Sequence, residues 1–194
     1  MPLTGVDRER KAIEEACQGI YSCEELRFPT ADEVLEKIPI SEITHFACHG
    51  LSDLADPSNS RLLFQKNGKD GPVVDGLTVA KVSTVTTQGP AWIAFLSACS
   101  TAEIKVGKLA DEGLHLTSAF QVAGFAHVIG SLWSANDDIC VRVAELFYDD
   151  LTRSGRAQVS NGAVAAALRN AVMQVGAELP LSPDIWVPFV HFGA

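Results

Sequence analysis

Three short strand-like runs, Ile43 to Cys48, the continuously apolar Trp92 to Ser97, and His127 to Trp133, most constrain how this chain can fold. Each has the length of a strand covered on both faces and is too short for a buried helix. Helical patterns lie between and around them. A helix is predicted from Asp7 to Cys17, stopping at Gly19, and another from Thr30, where Thr30 and Glu33 have capping-box spacing, to about Ile38 before Pro39. A third runs from Glu112 to Ala123 and ends at Gly124. Two amphipathic helices follow, one with Ile139, Val143, Leu146, Phe147 and Leu151 on one side. The other carries Val164, Ala167, Leu168, Ala171, Val172 and Val175 behind Ser160 as N-cap. Parallel strands need helical crossovers, so this order implies an α/β, three-layer sandwich: a mostly parallel sheet with helices on both faces. The turn-rich stretch from Leu51 to Asp75 reads as an edge hairpin, Thr101 to Asp111 as a loop, and Trp186 to Phe192 as a closing strand.

At 194 residues, 47% hydrophobic and 20% charged, the chain has the size and balance of one globular domain. Phe120 to Trp133 is its most apolar stretch, and Gln121, His127 and Ser131 interrupt it, so no membrane span is expected. Charges at Asp7, Arg8, Glu9, Arg10 and Lys11 occupy the place of a signal peptide's apolar core, which points to a cytoplasmic protein. A net charge of −9 with scattered basic residues argues against a nucleic-acid partner. Five cysteines without a CxxC pair suit reduced thiols better than a disulfide scaffold or a zinc site.

Ligands of such sheets bind beyond the carboxyl ends of the strands. Two strands end in reactive chemistry there: His45-Phe46-Ala47-Cys48-His49-Gly50 and Leu96-Ser97-Ala98-Cys99-Ser100-Thr101. A thiol must lose its proton to attack, and a neighbouring imidazole can take it, so His49 and Cys99 form the candidate catalytic dyad. Gly50 turns the backbone sharply, and its N–H together with that of Cys99 is the candidate oxyanion hole. Cys48 alternates away from His49 on its strand, and a buried structural role suits it better. His45 and His49 share a strand face, but no carboxylate or thiolate at recognisable spacing completes a metal site, so no metal is expected. His115, His127 and His191 read as core or surface residues. No GxGxxG or Walker pattern follows any strand, which leaves no cofactor to propose.

The two strand-end motifs resemble those of the CHAT domain, a branch of the caspase–separase clan of cysteine peptidases. The resemblance continues, in order, through Asp111-Glu112-Gly113, Ala119 to Gly124, Gly130-Ser131-Leu132-Trp133, Asn136-Asp137-Asp138, Phe147 to Leu151 and Trp186 to Val190, about three quarters of the chain. It implies a caspase-like fold, His49 as catalytic histidine, Cys99 as nucleophile and no required third member. The caspase spacing of about 50 residues from histidine to cysteine is met, and Ala98 precedes Cys99. Ser97 and Thr101 stand where caspases have Gln and Gly. Asp137 lies at a spacing similar to that of the separase acid that recognises a basic P1 residue, with helix capping by Asn136 or Asp137 as the alternative.

The resemblance further implies a protein substrate, of which gasdermin-like pore-forming proteins are one kind, and a sensor or repeat region that activates the peptidase. It frames residues 1–194 as the C-terminal domain of a larger protein, or as a minimal form lacking N-terminal sheet residues. The expected activity is cysteine endopeptidase hydrolysis through an acyl-enzyme. The alternatives are a catalytically silent caspase-like module for regulation or scaffolding, a small-molecule cysteine hydrolase, and a nucleotide-binding α/β domain.

Overall fold

Along the central strands, alternate residues enter two different hydrophobic cores, as a sheet covered on both faces requires. The computed structural model describes residues 5–51, 53, 55–87, 89, 91–97, 99–100, 113–133, 135–153, 155 and 160–193. In chain order the elements are α1 (Val6–Cys17), α2 (Ala31–Lys37), β1 (Ile43–Phe46), β2 (His49–Leu51), β3 (Arg61–Gly68), β4 (Gly71–Thr78), α3 (Val79–Val82), β5 (Ile93–Leu96) and β6 (Cys99–Ser100). They continue with α4 (Gly113–Ala123), β7 (His127–Ser131), α5 (Asp137–Thr152), α6 (Asn161–Glu178), α7 (Pro183–Trp186) and β8 (Phe189–Gly193).

The main sheet has the order β1-β5-β7-β8, with β1, β5 and β7 parallel and β8 antiparallel at the edge. Ile93, Phe95 and Ile129 pack with α1, α5 and α6 on one face. Ala94, Leu96, Val128 and Phe46 pack with α2, α3 and α4 on the other. The result is the expected three-layer sandwich. Full burial of side chains such as Phe95, Phe147 and Ile129 contributes about 1.5–3 kcal/mol each. Surface ion pairs such as Arg8–Asp138, with side chains 58% and 73% exposed, contribute far less.

Local chemistry sets the element ends. The Thr30 hydroxyl accepts from the Glu33 N–H while the Glu33 carboxylate accepts from the Thr30 N–H, completing the capping box that starts α2. Gly19 (φ 75°) and Gly124 (φ 113°) adopt the left-handed backbone that follows α1 and α4.

Four expectations shift, one being that the strand predicted from His127 to Trp133 ends at Ser131. The strands predicted to run to Cys48 and Ser97 end at Phe46 and Leu96, because the chain breaks there and resumes pairing in a second sheet, β4-β3-β2-β6. The hairpin is longer than expected, with β3 and β4 paired from Arg61↔Thr78 to Gly68↔Gly71. Trp186 belongs to α7 and not to the last strand: Pro183 takes the first helical position after Ser182, and pairing begins only at Phe189, beyond Pro188. The Thr101–Asp111 loop lies outside the described residues. Among the described residues no helix is long and apolar enough to cross a membrane.

Candidate active site

The second sheet grows out of the first. β1 leads to β2 across Ala47 and Cys48, and β5 leads to β6 across Ser97 and residue 98. In the main sheet His45 is the register partner of Phe95, and Phe46 of Leu96. In the small sheet β2 and β6 pair in parallel, with His49 opposite Cys99 and Gly50 opposite Ser100. The register is therefore unchanged across the break, since 95 − 45 and 99 − 49 are both 50. Neighbouring strands lie about 4.8 Å apart, so the fold makes His49 and Cys99 immediate neighbours at the carboxyl ends of β1 and β5. Gly50 is buried, with Leu62 of β3 on one side and Ser100 of β6 on the other.

Cys48 lies in the break between β1 and β2. Burial pushes its thiol up to about 12, the Glu9 carboxylate adds to the rise, and the Leu63 backbone N–H opposes it. Burial likewise pushes the Cys17 thiol up to about 12, helped by the adjoining Cys23. Both remain protonated at neutral pH and are poor nucleophiles.

His45 faces the α1/α5 layer. Its Nε2 lies 3.0 Å from Glu9 Oε1 and its Nδ1 3.2 Å from the Tyr148 hydroxyl. The ring stacks on Phe95 with centroids 4.8 Å apart. Glu9 is 3% and Tyr148 1% exposed, so this is a buried polar network. Both ring nitrogens of His45 are thereby engaged. Among the described residues no group of three or more His, Cys, Asp or Glu side chains is arranged to hold a metal ion. Sequence reasoning missed this network. Its available sign was Glu9, a charged residue one turn before Ile13 on the face of α1 that carries Cys17 into the core.

Asn136 is the N-cap of α5 and accepts from the Asp138 N–H at 2.9 Å. Asp137 therefore stands in the first turn, and its Oδ2 accepts the Gly5 N–H at 2.6 Å. A Cβ on Gly5 would fall 2.9 Å from Asp137 Oδ1 and 2.8 Å from a Val141 methyl, so the approach depends on glycine. Arg8 pairs with Asp138. The amino ends of α1 and α5 are thus tied together at the residue expected to select P1.

At the opposite end of the sheet, His127 is fully buried, with Nδ1 2.9 Å from His191 Nε2 and Nε2 3.3 Å from Asn161 Oδ1. This pair is structural and distant in sequence and register from the dyad. The side chain of His115 lies outside the described set, as does Asp111-Glu112.

A family model for the CHAT domain matches the chain over residues 1–194. No curated protein matches it.

Proposed function

Because the chain belongs to the CHAT domain family, a caspase-like cysteine peptidase family, we propose that it is an endopeptidase working through Cys99 and His49. The observation that carries this reading is their register partnership on adjacent parallel strands. His49 takes the Cys99 proton, and the thiolate attacks the scissile carbonyl carbon to form a tetrahedral adduct. The N–H groups of Cys99 and Gly50 hold the oxyanion. Collapse breaks the C–N bond as the His49 imidazolium protonates the leaving amine. His49 then deprotonates a water that attacks the acyl-enzyme, releasing the carboxylic acid and restoring the thiol.

The substrate of this reading is a protein cleaved after a basic residue, with Asp137 as the P1 selector. A guanidinium engages a carboxylate through two parallel N–H···O bonds, whereas lysine offers one point of charge. The Gly5 N–H already orients one carboxylate oxygen. The test is a P1-diverse peptide library read by mass spectrometry, followed by Asp137→Asn on paired P1-Arg and P1-Leu peptides. Cys99→Ala and His49→Ala should abolish cleavage. Asp137→Asn should cost about 2–4 kcal/mol in kcat/KM for Arg and little for Leu. Equal loss on both peptides, or a wild-type preference for Leu, removes Asp137 from that role.

A further inference from the structure

We infer that the buried Glu9–His45–Tyr148 network is a positioning device for the dyad, fixing the register of the two strands that carry His49 and Cys99. This inference rests on the dyad reading above. Among the described residues β2 and β6 pair over two positions, a short stretch on which to set a register. It inherits that register from β1–β5, whose pairing ends one residue beyond His45↔Phe95. The two pairs are copies of one another: His49 lies four residues after His45, and Cys99 four after Phe95.

At that lower pair, three contacts hold the His45 ring in three directions. Glu9 fixes it to α1, Tyr148 fixes it to α5, and the face of Phe95 fixes it to β5. Tyr148 is kept as the phenol, because burial first, and then the neighbouring acidic groups of Cys17, Glu9 and Cys23, raise its pKa. The assignment that satisfies every atom has the Tyr148 O–H donating to Nδ1 and Nε2–H donating to Glu9. A one-residue slip of β1 would turn His45 to the other face and break all three contacts at once. Stability alone does not call for such a cluster, because apolar residues of similar volume commonly serve as well as a buried polar network. What the network adds is directional geometry, and catalysis by a neighbouring thiol and imidazole is sensitive to displacements well under 1 Å.

The test measures the rate of iodoacetamide alkylation at each cysteine by peptide mapping, well below the melting temperature, beside kcat and KM on the best library peptide. Tyr148→Phe keeps the ring and removes one hydrogen bond, and Glu9→Gln keeps the shape and an acceptor if the first variant folds poorly. Each should slow Cys99 alkylation and lower kcat about tenfold with KM unchanged. Val175→Ala, a cavity in the same core layer, should lose stability with no change in Cys99 reactivity. If Tyr148→Phe and Glu9→Gln melt earlier yet alkylate at the wild-type rate, or if Val175→Ala slows Cys99 equally, the network is only structural and the inference fails. A wild-type Cys99 no more reactive than the exposed Cys23 would remove the dyad itself, and the inference with it.

Discussion

Removing the Asp75 carboxylate should loosen the joint between α2 and the hairpin that supports β2. Asp75 sits on β4, where its Oδ2 accepts the Ala31 N–H at the first position of α2, 2.8 Å away. Ala31 is fully buried and the Asp75 side chain is 12% exposed, so water cannot readily replace the bond. Lys66 approaches the other oxygen at 3.2 Å, but its side chain is 54% exposed. A hydrogen bond to a charged group, with a buried donor left unpaired after its loss, is worth about 2–3 kcal/mol. Asp75→Ala should therefore lower the melting temperature by about 4–12 °C. Asp75→Asn keeps an acceptor and should lose about half as much, while Lys66→Met should change stability by less than about 1 kcal/mol.

The pH dependence follows from the same contacts. The Ala31 N–H holds the Asp75 carboxyl below its ordinary value against the opposing effect of burial, with Lys66 and then Lys81 assisting. A depressed carboxylate contributes stability that is complete above its ordinary pKa and is lost as pH falls through the folded value. The gap between wild type and Asp75→Asn should then be constant above about pH 5 and shrink below about pH 4. Urea titrations at pH 7 and 3.5 provide the assay. An Asp75→Ala variant within about 0.5 kcal/mol of wild type at pH 7 would refute the reasoning.

Ser97 is buried, and its hydroxyl has no hydrogen-bond partner among the described residues. Ser97→Ala should accordingly raise stability by about 1 kcal/mol in thermal melts, and a loss of that size would contradict the assignment. His191 is held below its ordinary pKa by burial first and by His127 second. Its contribution is full above the unfolded value of about 6.5 and is lost as pH falls through the folded value. His191→Gln should flatten the decline in melting temperature between pH 7 and 5, and an unchanged slope would exclude this source.

The centre of the main sheet was legible because β5 and β7 are buried on both faces, which writes β5 as the unbroken apolar run Trp92 to Ser97. The breaks after Phe46 and Leu96 were not legible, because Ala47, Cys48 and Ser97 continue the apolar and small-residue pattern while the chain changes sheets. Ser182-Pro183 did carry the sign of the short helix that displaced the expected start of the last strand. The adjacency of His49 and Cys99 followed from their places at the ends of neighbouring strands. The Glu9–His45–Tyr148 cluster did not follow, because its members are 36 and 103 positions apart and no local period connects them. The capping question at α5 needed coordinates as well: Asn136 and Asp137 both suit a helix start, and only the geometry gives the cap to Asn136.

In the proposed mechanism Cys99, activated by His49, is the group that attacks the peptide carbonyl. The most direct measurement is the site of covalent capture by a P1-Arg peptidyl acyloxymethyl ketone, read by intact mass and peptide mapping. One adduct per chain is expected, on Cys99, that fails to form in His49→Ala and is competed away by a cleaved library peptide. Capture on Cys48 or Cys23, or cleavage that persists in Cys99→Ala, would contradict it.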